Sequence, residues 1–165
     1  MSDTPSTHLP HAADRANTFP WPPVLIAAAF AAAVLLGNAF PLNWPGMDDR
    51  PAHIIGLGIG AAGLALIGAA VAALRRHGTT VMPDRMSTAL VTTGPYRLLR
   101  NPIYLGEVMA MFGLAEWTHN IWFVACGLAF AVLVTLLQVL PEERHLEARF
   151  GEDYSAYKAR ARRWI

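Results

Sequence analysis

Apolar residues in this chain are gathered into four blocks, at 22–40, 52–74, 102–117 and 121–140, with polar residues between them. Three blocks contain no Asp, Glu, Lys or Arg, and the block at 102–117 carries Glu107 and Glu116. A helix crossing the ~30 Å hydrocarbon layer of a bilayer needs ~20 mostly apolar residues. The pattern predicts an all-α, polytopic membrane protein with four transmembrane helices. Pro102 suits the first position of the third helix, where its missing N–H is harmless. Thr118-His119-Asn120 is the whole separation between the last two blocks, so these helices should form a tight hairpin. Pro141 should end or kink the fourth helix.

Beyond Pro141 the pattern changes. Residues 142–165 are strongly charged, yet Leu146, Phe150, Tyr154 and Tyr157 recur at helical spacing and share one face. A C-terminal helix is expected, weakened midway by Gly151. Arg160, Arg162 and Arg163, followed by Trp164, suit an anionic membrane surface. Residues 1–20 show no hydrophobic pattern and read as a disordered tail, which leaves 21–165 as a single domain.

Composition agrees with the membrane reading. Apolar residues make up 54% and charged residues 15% of the 165, against ~45–50% and ~25% in average soluble domains. The net charge of +1 gives no reason to expect a nucleic-acid partner. Cys126 is the single cysteine, so no intrachain disulfide can form, and its apolar surroundings suit a small buried hydrophobe. His8 and His11 have no partners at metal-ligand spacing, so no metal site is expected. A cleavable signal peptide would need a basic n-region, and a long polar leader with Arg15 alone is a poor one. Gly58-Ile59-Gly60-Ala61-Ala62-Gly63 fits the dinucleotide pattern G-x-G-x-x-G, and Asp84 follows at a suitable distance. That fingerprint requires βαβ units, and none are offered here. Small residues four apart, such as Gly56 and Gly60, instead suit close helix packing in lipid. His53 and Glu116 are expected near the outer interface.

Charge placement sets the orientation. Arg75, Arg76, Arg85, Arg97 and Arg100 lie in 75–100, and six more Lys/Arg follow 141, which makes eleven of the thirteen. By the positive-inside rule the 75–100 connector and the C-terminal segment are both cytoplasmic. Four spans then place both termini in the cytoplasm, with the body of the protein in the cell inner membrane. The two polar segments at 90–107 and 141–157 emerge on one face and can meet.

These segments carry the candidate chemistry. Gly94 permits backbone conformations closed to other residues. Arg97 and Arg100 are permanent cations able to clamp a carboxylate. Tyr96 and Tyr104 offer aromatic faces that attract a cation, together with hydroxyls. Asn101 offers an amide, and Glu142 and Glu143 can accept from an ammonium or from ribose hydroxyls. Glu107, an ionisable residue inside a span, is a functional candidate by default. Arginines and tyrosines at an interface also serve as plain anchors.

The run Gly94-Pro95-Tyr96-Arg97, Arg100-Asn101-Pro102, Tyr104 and Gly106, followed by Glu142-Glu143 and then Phe150-Gly151, Tyr154 and Tyr157, resembles the isoprenylcysteine carboxyl methyltransferase family. The related phospholipid methyltransferases share it. The resemblance covers roughly residues 75–165 and implies an integral-membrane methyltransferase using S-adenosylmethionine without a Rossmann domain. Carried over by position, Gly94, Tyr96, Arg100, Asn101, Pro102, Tyr104, Leu105, Glu142 and Glu143 would hold the cofactor. Arg100 would also engage a substrate carboxylate, so Arg100 and Glu107 are the candidate catalytic residues. Asn101 stands where the family usually has His; it can hydrogen-bond but cannot titrate near neutrality. The prenylcysteine enzymes also carry an arginine shortly before the paired glutamates, a place occupied here by Gln138, Val139, Leu140 and Pro141. The implied acceptor is lipophilic or small and enters from the membrane lipids. Methylation of a phospholipid amine, with Glu107 near the methyl, and a non-catalytic membrane protein of the same fold are the alternatives.

Overall fold

A computed structural model describes residues 19–42, 49–78 and 90–165. The expected disorder of residues 1–20 falls almost wholly outside these, as do Asp84 and Arg85. The described residues are helical and form no strands. Helix α1 spans Trp21–Ala39, α2 Arg50–Arg76, α3 Pro102–Thr118, α4 Trp122–Val134 and α5 Leu140–Arg160. Prolines stand in the opening positions of α1, α2 and α3, where their fixed φ suits a helix start. Arg75 and Arg76 close α2, where cations oppose the dipole.

Among the described residues, three helices are long and apolar enough to cross a membrane: Trp21–Ala39, Arg50–Arg76 and the continuous run Trp122–Arg160. Helix α2, with 27 residues, is about 40 Å long. Helix α3 has 17 residues, at the short end of the range for a span. Apolar side chains such as Ile54, Ile55, Leu64 and Val132 point outward, as lipid-facing positions require.

The glycines of α2 decide its packing. Gly56, Gly60 and Gly63 are buried on one face. A Cβ added at Gly60 would lie 2.7 Å from the Gly113 Cα, and one at Gly63 would lie 2.6 Å from the Gly106 carbonyl. The backbones of α2 and α3 therefore touch, which is the packing role expected for these glycines. Helix α1 packs on α4, and Ala33, Met111, Ala115, Phe123 and Cys126 form one core cluster. A second, around Val108, Phe130 and Val134, takes in Tyr104 and Trp164.

Between α3 and α4, His119 adopts a left-handed conformation (φ 52°) and the Asn120 N–H donates to the Ala115 carbonyl at 3.0 Å. The Asn120 side chain donates to the Ala33 carbonyl in α1 at 2.9 Å. At this end His53 Nδ1 lies 3.6 Å from Glu116 Oε2, and the His53 and His119 rings stack at 5.6 Å.

Pro141 does not end the helix. Residues Thr135–Val139 form a π-turn, and helical backbone continues through Pro141 into α5. Proline has no N–H for the usual bond to the fourth residue back, and a widened turn accommodates that loss. The break comes at Gly151, where φ 51° and ψ −119° kink α5, a conformation that suits glycine.

Candidate functional site

The loop before α3 is shaped by Gly94, whose φ of 60° starts a single 3-10 turn, Gly94–Arg97. The turn packs on the end of α2, where a Cβ at Gly94 would meet Ala73. Residues 161–165 fold back on this loop. The Arg100 N–H donates to the Arg162 carbonyl at 2.7 Å, and the Arg162 N–H donates to the Leu98 carbonyl at 2.8 Å. The Tyr157 hydroxyl donates to the Tyr96 carbonyl at 2.8 Å. Tyr154, Tyr157 and Ala161 bury together with Leu146, Phe150 and Leu90, so the predicted apolar face of α5 covers the loop.

An ionic cluster sits beneath this seam. Arg163 clamps Glu143 with two bonds, Nε to Oε1 at 3.0 Å and Nη2 to Oε2 at 2.8 Å. Arg100 Nη2 lies 3.5 Å from Glu143 Oε1. Glu143 is buried, and both its oxygens face cations, so the site engages it internally. The amide nitrogen of Asn101 donates to the Arg163 carbonyl at 3.0 Å, which ties the position preceding Pro102 to the same segment.

Glu142 is supported differently. The Gln138 amide donates to its Oε2 at 3.4 Å, and no ion pair to Glu142 occurs among the described residues. It stands just past the apolar run of α4 and the π-turn. Burial pushes its carboxyl above the ordinary value, and the Gln138 hydrogen bond opposes that rise. Tyr104 lies within electrostatic reach of Glu142, Glu107 and Tyr96, so these four side chains surround one region. Burial, reinforced by Glu142 and Tyr157, raises the Tyr96 phenol well above its usual value. Burial pushes Tyr154 up to about 12, with Glu143 adding to the rise and Arg100 opposing it. These phenols are donors at neutral pH.

Buried polar atoms without a partner occur in this region and in the adjoining Glu143 cluster. Among the described residues Arg100 Nε and Nη1 and Glu107 Oε2 have no hydrogen-bond partner, and the Arg100 side chain is only 11% exposed. Such atoms cost roughly 1–3 kcal/mol each when left unsatisfied. A ligand presenting a carboxylate and hydroxyl or cationic groups would satisfy them. Pro102 and Leu105 contribute backbone and apolar surface on the first turn of α3. A separate cleft, lined by Phe30, Asn38, His119, Asn120 and Phe123, lies at the opposite end and contains none of these groups. Among the described residues no group of three or more His, Cys, Asp or Glu side chains is placed to hold a metal ion.

Sequence reasoning singled out Tyr96, Arg100, Asn101, Tyr104, Glu107 and the two glutamates as candidates, and the structure brings them to one end of the helical bundle. It missed Gln138 as a partner of Glu142, although a glutamine in an uncharged run was a visible signal. It read Arg163 as a surface anchor, and the fold turns that side chain onto Glu143. Nothing in the sequence distinguished Arg163 from Arg160 and Arg162.

The phospholipid methyltransferase family model matches residues 51–153, more than half of the chain. The nickel-cobalt-cadmium resistance protein NccN of Alcaligenes xylosoxydans xylosoxydans is 38% identical over 77 residues, 46% of this chain and 35% of that protein. The cobalt-zinc-cadmium resistance protein CzcN of Cupriavidus metallidurans is 31% identical over 122 residues, 73% of this chain and 51% of that protein. The chain thus spans about a third to a half of the length of these curated relatives. No solved structure matches it.

Proposed function

The chain belongs to the phospholipid methyltransferase family, whose members are membrane methyltransferases, and from that premise we propose that it uses S-adenosylmethionine to methylate a lipophilic or small acceptor at the membrane surface. The observation that carries this reading is the set of buried atoms without a partner among the described residues, on Glu107 in the region that Tyr96, Tyr104 and Glu142 share and on Arg100 in the adjoining Glu143 cluster. In this proposal α3 is a fourth span and forms a hairpin with α4. Both termini are cytoplasmic, in the inner membrane, and residues 21–165 make one domain.

The residues present fit the cofactor. Glu142 would accept from its ribose hydroxyls or ammonium group. Tyr96 and Tyr104 would wall the cationic centre. Gly94, Pro102 and Leu105 shape the cradle. Glu143 and Asn101, both engaged internally, hold Arg100 and residues 161–165 in place. The bound cofactor supplies an electrophilic methyl group on a sulfonium. An anionic acceptor oxygen or sulfur needs no base for in-line displacement, only alignment and exclusion of water. Arg100 supplies the alignment through its two unpartnered nitrogens, as in the resemblance to isoprenylcysteine carboxyl methyltransferases. The buried seam of Tyr154 and Tyr157 excludes water.

One observation favours a second acceptor class. Glu107 Oε2 is buried and unpartnered. An amine headgroup, as in the phospholipid N-methyltransferases, would find there a carboxylate able to take the proton released when nitrogen is methylated. Incubation with methyl-labelled cofactor and membrane extract separates the readings. Label in a base-labile ester supports the first, and label in an acid-stable lipid amine supports the second. No transfer and no cofactor binding would make the chain a non-catalytic member of the family.

A further inference from the structure

Two adjacent glutamates, Glu142 and Glu143, share a helix turn but not an environment. Glu143 is held by two arginines, whereas Glu142 is met by one neutral amide. That amide belongs to Gln138, which is fully buried within an otherwise apolar run. An apolar residue would fill this position without the desolvation cost that an amide incurs. The residue also sits in the π-turn Thr135–Val139, a geometry that recurs at functional sites.

We propose that Gln138 is a positioning residue for the cofactor-binding carboxylate of Glu142: from the π-turn, its amide fixes the direction of that side chain and brings no opposing charge to it. The alternatives at this position show why. An arginine or lysine would pair with Glu142 and compete with a cationic ligand. A leucine would leave a desolvated carboxylate without a donor. Glutamine avoids both. The groups around Glu142 are consistent with this division: Tyr96, Tyr104 and Tyr154 are uncharged phenols, Glu107 lies across Tyr104 and brings no cation, and Glu143 is paired with its own arginines. The inference rests on the reading of Glu142 as a cofactor ligand.

Calorimetric titration of the full chain in detergent micelles with S-adenosylmethionine tests it, using Gln138→Met, Gln138→Arg, Glu142→Gln and the double variant Gln138→Met/Glu142→Gln. Gln138→Met keeps the volume and should weaken binding about fivefold to tenfold, and the fall in Tm from the lost amide is measured beside it. Gln138→Arg should weaken it further. In the Glu142→Gln background Gln138→Met should have no added effect, a coupling that a purely structural role would not produce. Should Gln138→Met not fold, Gln138→Asn, which keeps the amide but shortens it, takes its place in the same cycle. Wild-type affinity in Gln138→Met together with lost binding in Glu142→Gln would overturn the role of Gln138 and leave the cofactor reading intact. Unchanged binding in Glu142→Gln, or none by the wild type, would overturn both.

Discussion

The helical bundle has a polar cluster at each end, and the two are built differently. At one end His53, Glu116 and His119 meet beside the α3–α4 connection. Two of their buried atoms lack hydrogen bonds, but those atoms, His53 Nδ1 and Glu116 Oε2, face each other at 3.6 Å. At the other end Arg100 Nε and Nη1 and Glu107 Oε2 are also buried without partners, and Arg100's ion pair to Glu143 runs through a different nitrogen, Nη2. Burial of polar groups is common to both ends. What separates them is whether the counterpart comes from the described residues: the His53 and Glu116 atoms face each other, whereas those of Arg100 and Glu107 do not face a partner there.

The largest expected effect breaks this comparison most directly. Arg100→Ala should reduce kcat/KM for methyl transfer by about 100-fold or more, as loss of a positioned donor does. His53→Ala should leave kcat/KM within about threefold and register only as a lower Tm. Comparable losses of activity in both variants would remove the distinction between the ends.

Next in size is a split within the site. Glu142→Gln should weaken cofactor binding by about tenfold or more, with little change in Tm. Glu143→Gln should act the other way. It loosens the Arg163 and Arg100 pairs and should cost about 1–2 kcal/mol, a figure already discounted because Arg163 is partly exposed. That is a fall of a few degrees in Tm for a chain of this size. Thermal denaturation beside calorimetry separates the two outcomes.

This split also shows what could and could not be read from the chain. The helices follow from apolar runs, and the observed limits of α1, α2 and α3 fall within two residues of the expected ones, whereas the fourth run continues past Pro141. Pro102 at the start of α3, the glycine face of α2 and the apolar face of α5 follow from local spacing. The pairing of Arg163 with Glu143 joins residues 20 apart across the Gly151 kink, so helical periodicity could not place them together. The π-turn was equally hidden, because proline tells where a backbone bond is lost but not how the turn absorbs the loss. Asn101 reads from the sequence as a cofactor contact, and the fold gives it a second partner. Its bond to the Arg163 carbonyl makes it a fastener of residues 161–165.

A pH profile sharpens the role of Glu142. Burial raises its carboxyl pKa above the usual carboxylate range, so the charge is lost at a higher pH than for an ordinary glutamate as pH falls. Cofactor affinity that depends on this charge should fall on the acid side in that window. The acid limb should vanish in Glu142→Gln. The neighbouring phenols stay protonated throughout and do not contribute.

The smallest effect concerns the seam. Tyr157→Phe removes the bond to the Tyr96 carbonyl and should cost about 1 kcal/mol in stability. Cofactor affinity should change by less than about threefold, because the ring still packs with Tyr154 and Ala161.

The central claim is that the end of the bundle holding Arg100 and Glu142 binds S-adenosylmethionine. Calorimetric titration of the purified full chain in detergent, wild type beside Glu142→Gln and His53→Ala, tests it most directly. One-site binding by the wild type and by His53→Ala, lost or strongly weakened in Glu142→Gln, is the expected result. No binding by the wild type, or equal binding by all three, would contradict it.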